Sequence, residues 1–106
     1  MASGEFHHFG VPTSTTYDNE TYIEGAKVYA TNPDAHPYRV EFLRFDADSP
    51  LPEAIRTRPH AAFIVGNLDA ALEGQDVILP PFDATEALRV AFIMDGDAVI
   101  ELMEKR

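Results

Sequence analysis

Two histidines and two glutamates carry the most distinctive chemistry of this chain: His8, Glu41, His60 and Glu101. Each falls in a stretch of strand composition. In Pro59–Val65, strand alternation puts His60, Ala62 and Ile64 on one side and Ala61, Phe63 and Val65 on the other. Phe63 and Val65 mark the core side, so His60 faces something else. Around the last of the four, Val99 and Met103 share the side of Glu101, with Ile100 and Leu102 opposite. A carboxylate flanked by Ile100 and Leu102 must be either solvated or paired in a cavity. If the strands curve into a trough, the four side chains can converge. They then make a nitrogen–oxygen site for a divalent first-row metal (Zn, Ni, Co, Mn or Fe), with positions left for water or substrate.

Each residue also has a plainer reading. Glu41 alone reads as a solvated-face residue, His7 as a surface histidine, and His36, between Ala35 and Pro37, as structural or exposed. The pairing argues against treating the quartet that way. His8 precedes Glu41 by about 33 positions and His60 precedes Glu101 by about 41, on matching faces. The difference is about what a shortened helix would remove. Two arginines add a hint, because Arg39 shares the face of Glu41 and Arg89 lies opposite Val90, Phe92 and Met94. They would suit a substrate carboxylate or phosphate, or simply neutralise nearby acids.

The elements that must position these residues follow from composition. Phe6–Pro12 reads as a first strand closed by Pro12. Thr13–Gly25 is polar, with Asp18 or Asn19 placed to cap one or two helical turns carrying Tyr22 and Ile23. Ala26–Thr31 and Tyr38–Phe45 read as strands separated by the Asn32-Pro33-Asp34 turn. Asp46–Arg58 reads as a connection between halves. After His60, the spacing of Leu68, Ala71 and Leu72 predicts a short amphipathic helix ended by Gly74. Gln75–Leu79 reads as a strand stopped by Pro80-Pro81, with Phe82–Ala87 a loop. Leu88–Met94 and Ala98–Met103 flank Asp95-Gly96-Asp97 as a hairpin. The second half is therefore strand, helix and three strands. The first half reads as the same unit with its helix cut down and one strand in doubt.

The bulk numbers bound the partners. A chain of 106 residues makes a single domain with a real core. A formal net charge of −10 opposes nucleic acid and anionic membrane surfaces. With no cysteine, thiol chemistry, disulfides and cysteine-ligated zinc are excluded. The sequence shows neither a basic-then-apolar secretory signal nor a run of membrane-spanning length, so cytoplasmic residence is the expectation.

The chain resembles the vicinal oxygen chelate superfamily, which includes glyoxalases, epimerases, extradiol dioxygenases and bleomycin-resistance proteins. The resemblance rests on His8-Phe9-Gly10-Val11, on Pro59–Val65 followed by Asn67–Leu72, and on Val99-Ile100-Glu101-Leu102-Met103-Glu104. It covers the second half almost throughout, but only the first and last strands of the first half. It implies an α+β fold of paired βαβββ modules forming a cupped mixed sheet. The first module spans about 6–45, a linker 46–58 and the second module about 59–104. By position His8, His60 and Glu101 fall on the family's ligand motifs, and Glu41 on the most variable of them.

The implied function is a metal-dependent isomerase, epimerase or lyase acting on a small oxygen-rich carbonyl substrate through an enediolate-type intermediate. Glu41 or Glu101 would serve as general base, and Arg39 and Arg89 as substrate contacts. The resemblance implies a small-molecule substrate and a possible homodimer; the shortened first helix departs from the family pattern where the usual pocket wall and dimer contacts lie. One alternative is a metal-free protein of the same fold that sequesters an aromatic or drug-like ligand, using Tyr38, Phe45 and Met103. Another is an extradiol-type iron dioxygenase, against which Glu41 counts as a fourth ligand. A cupin is disfavoured because the close His-x-His signature is absent.

Overall fold

The structure, a computed structural model, describes residues 4–106. The first module contains strands β1 (Glu5–Pro12), β2 (Thr21–Ile23), β3 (Val28–Ala30) and β4 (Val40–Phe45). Helix α1 (Glu53–Thr57) leads into the second module: β5 (His60–Ile64), α2 (Leu68–Ala71), β6 (Asp76–Thr85), β7 (Leu88–Asp95) and β8 (Ala98–Lys105). The eight strands form one mixed sheet in the order β2-β3-β4-β1-β5-β8-β7-β6. Within each module the first strand lies parallel to the last, β1 to β4 and β5 to β8, and the modules meet through the antiparallel pair β1–β5. This is the expected α+β cupped sheet, and each half supplies four strands.

The first module departs from expectation between Thr13 and Gly25. No α-helix forms there. Thr21-Tyr22-Ile23 pairs antiparallel with Val28-Tyr29-Ala30, and a single 3-10 turn, Glu24–Ala26, joins the two strands. The β-branched and aromatic side chains favour that pairing. The Tyr22 and Tyr29 rings lie 4.6 Å apart, and the Tyr22 hydroxyl donates to Asp46. The strand left in doubt by the sequence is thus β2, standing where the helical turns were expected.

Two other stretches are more ordered than expected. The linker carries α1, whose Ile55 is almost fully buried against Phe92 and Val99. Residues 76–85 form one long edge strand that runs through Pro80-Pro81 into the supposed loop. An edge strand can spare backbone donors, and register shifts around Val77–Leu79, Leu79–Phe82 and Asp83–Thr85 absorb the irregularity. The hairpin is as expected: Asp95 pairs with Ala98, and Gly96 has φ of +59°, the first-position requirement of a type II′ turn. Helix α2 is a single turn, with the Asn67 side chain accepting from Ala70 N–H and Gly74 leaving it at φ of +75°. Glu104 of β8 accepts from Leu68 N–H at 2.6 Å, tying α2 to the sheet.

The sheet is apolar on both faces. On the outer face Val65, Leu68, Ala91, Ile93 and Leu102 pack together beneath α2. Inside the cup, Ala62, Val90 and Met103 form one cluster. No helix among the described residues is long and apolar enough to cross a membrane.

Candidate metal centre and cavity

His8, Glu41, His60 and Glu101 project from β1, β4, β5 and β8 into the cup, each offering a ligand atom within 4.8 Å of the others. Strand register explains the convergence. Across one row, Glu41 and His60 flank Gly10; across the next, His8 and Glu101 flank Ala62. Each row therefore reads ligand, small residue, ligand. The small residues are required by space. A Cβ added at Gly10 would lie 2.1–2.6 Å from ring atoms of His60, and Ala62 is fully buried. The His60 ring thus lies across the backbone of Gly10.

The polar atoms are arranged for a ligand that sits between them. Nε2 of His60 lies 3.0 Å from Glu101 Oε1. Nε2 of His8 is 3.4 Å from the same oxygen and 3.3 Å from Glu41 Oε1. It nevertheless makes no aligned hydrogen bond, although it is buried. A buried nitrogen left without a bond while pointing at two carboxylates is a cost that a cation at their centre would remove. Two donors on opposite sides of a first-row metal with bonds of about 2.1 Å stand about 4.2 Å apart. The cluster therefore needs little contraction, and its donor set fits a divalent metal.

Without a metal, a proton takes over part of that role. Burial alone would lower the pKa of His8, but the Glu101 and Glu41 carboxylates beside its Nε2 outweigh it and raise the pKa to about 9. For Glu101, burial opposes ionisation, yet His60 and His8 together hold its carboxyl well below the usual range. On the far side of His8, the His7 and His8 Nδ1 atoms lie 2.8 Å apart. When His8 Nδ1–H donates to His7, Nε2 keeps its lone pair for a metal. His7 is half-buried at this contact rather than a plain surface residue. Burial, then the charges of His8 and Arg39, lower its pKa.

The quartet sits in the wall of a cavity of about 160 Å³. Apart from these four, Thr85 is the sole polar side chain lining it among the described residues; the remainder is apolar. Phe92 stands edge-on to His60, with ring centroids 5.1 Å apart. Val90 and Phe92 line this cavity, while Ala91 and Ile93 pack under α2. That reverses the expected faces of β7 and takes Arg89 out of the site: it pairs with Asp69 of α2 at 3.1 Å. Because both faces of β7 are apolar, hydrophobicity alone could not orient the strand. Arg39 does not line the cavity either. Its φ of +57° takes it out of the alternation of β4, and its guanidinium engages Asp34 and the His7 carbonyl. Tyr38 is exposed, whereas Phe45 and Met103 line the cavity.

Gly10 and Ala62 were not singled out from the sequence, although a signal for them exists. Both modules open on histidine, any residue, then a small residue: His8-Phe9-Gly10 and His60-Ala61-Ala62. Antiparallel pairing places each histidine opposite the other strand's small residue.

The cupped sheet of two facing modules is the architecture that the sequence resemblance implied. No family model matches the chain, and no curated protein sequence does. Among solved structures, it is similar to the hypothetical protein BH1468 from Bacillus halodurans C-125. That match has a TM-score of 0.72 at 16% identity, covering 99% of this chain and 96% of that one. It is also similar to methylmalonyl-CoA epimerase from Mycobacterium tuberculosis, with a TM-score of 0.68 at 17% identity, covering 100% and 93%. At these identities the likeness is one of fold.

Proposed function

We propose that this chain is a metal-dependent enzyme that moves a proton next to a carbonyl, an isomerase, epimerase or lyase of the glyoxalase-like kind. The observation that carries the proposal is the convergence of His8, Glu41, His60 and Glu101 in the wall of an apolar cavity. The fold shared with an epimerase supports it. Held by these four residues, a divalent metal would supply Lewis-acid polarisation of two neighbouring substrate oxygens.

The two carboxylates have different duties. Glu101 is buried and contacts both imidazoles, so its work is to hold them in place. Glu41 is the more exposed of the pair and contacts only His8 within the quartet. It is the carboxylate free to swing toward substrate. Glu41 takes the proton from the carbon beside the carbonyl, and the C–H electron pair moves toward the carbonyl oxygen. Glu41 returns the proton from the same face to the neighbouring carbon while the hydroxyl proton passes to the other oxygen, which isomerises the compound; inversion of the first carbon would require a second acid on its opposite face. The apolar walls keep bulk water from intercepting the carbanion character that develops.

The apolar lining also favours a second reading, sequestration of an apolar ligand without metal. Three measurements decide between them. Protein purified without affinity tag or chelator should carry about one divalent metal per chain by elemental analysis. Glu101→Ala should lose it. Metal-loaded protein should exchange the α-proton of a suitable hydroxy ketone with deuterium, and Glu41→Gln should slow this by about 100-fold or more. Tight binding of an arene by metal-free protein, with no exchange across a broad panel, would establish the sequestration reading instead.

A further inference from the structure

We infer, on the basis of the function proposed above, that the substrate is an uncharged hydroxy ketone or its equivalent whose remaining part is compact and apolar. Three observations lead there. First, no lysine or arginine lines the cavity among the described residues. The guanidiniums of Arg39, Arg44 and Arg89 are committed to Asp34, Glu20 and Asp69. A substrate carboxylate or phosphate inside would lose its water and gain no cation beyond the metal, which the reacting oxygens occupy. Second, Phe82, Leu88, Val90, Phe92 and Met103 form an apolar wall on the β6–β7–β8 side of the quartet. Its cavity of about 160 Å³ is close to the roughly 150 Å³ engineered cavity known to take up benzene. Third, a net charge of −10 disfavours the approach of anions at a distance as well as at contact. Charge and shape thus select against the long anionic carriers on which many small acyl groups travel.

The test uses 2-hydroxyacetophenone, which joins a hydroxy ketone to a benzene ring, with its 4-carboxamide and 4-carboxylate derivatives. The last two are nearly equal in size and differ in charge. Dissociation constants are measured by calorimetry on the zinc-loaded protein, and α-proton exchange is followed by NMR in deuterated water. The unsubstituted compound should bind, and the carboxylate should bind at least tenfold more weakly than the carboxamide. Leu88→Lys, a substitution at a half-buried wall position, should narrow that gap at least threefold. Equal affinities for carboxamide and carboxylate, or no binding of any of the three, would overturn the inference. Titrations of chelator-treated protein keep the charge comparison readable if zinc is not taken up. Binding in the expected order without proton exchange would remove the proton-transfer reading and leave the apolar-substrate inference standing.

Discussion

At the scale of single residues, the site depends on what is small as much as on what coordinates. The His60 imidazole occupies the volume where a Gly10 side chain would stand. A Gly10→Ala protein should therefore fold, since the glycine has no positive-φ requirement, but hold His60 off its position. We expect metal affinity to fall by about tenfold or more, a loss of about 1.4 kcal/mol, read by calorimetry alongside an unchanged far-UV circular dichroism spectrum. Unchanged affinity would show that the ring has room to shift. The His8 proton sets a pH dependence. A pKa raised to about 9 means that the proton stabilises the metal-free fold below the ordinary value near 6.5, and that this contribution disappears as pH rises through 9. Metal must displace that proton. Affinity should accordingly weaken as pH falls from about 9 to 6.5, by roughly tenfold per unit, with proton release on binding. Calorimetry in buffers of different ionisation enthalpy reads both; a flat profile over that window would refute the competition.

Among the elements, α1 matters more than its five residues suggest. Ile55 is 1% exposed, lines the cavity and packs against Phe92, which in turn stands against His60. Ile55→Ala should cost about 2–5 kcal/mol in urea denaturation by opening a cavity beside this chain of contacts. A loss below about 1 kcal/mol would mean that the helix collapses into the gap or contributes little. The edge strand β6 makes a related point. Its two prolines suggested a stop, yet an edge position tolerates them, and the continuation brings Phe82 and Ala84 to the cavity wall. The elements least expected, α1 and the far half of β6, thus complete the cavity around the His–Glu quartet.

At the scale of the molecule, the candidate ligands come from β1 and β4 of one module and β5 and β8 of the other, so only the assembled sheet brings all four together. Metal should then bind the native chain far better than the unfolded one. At a free metal concentration of about 100 times the dissociation constant, stability should rise by about 2.7 kcal/mol, with a corresponding rise in Tm. A Tm indifferent to zinc, nickel, cobalt and manganese would contradict the site. The sequence by itself determined the two-module architecture, the quartet as candidate ligands and the Asp95-Gly96-Asp97 hairpin, because alternation and turn chemistry are local properties. It could not orient β7, whose two faces are equally apolar, nor keep Arg39 in the alternation of β4, since a single left-handed residue breaks the pattern. It also misplaced Thr13–Gly25, where pairing of Tyr22 with Tyr29 overrode a weak helical signal. The tertiary structure settled each of these. Which side of a strand meets a cavity, and whether an arginine finds an aspartate first, depend on neighbours far along the chain.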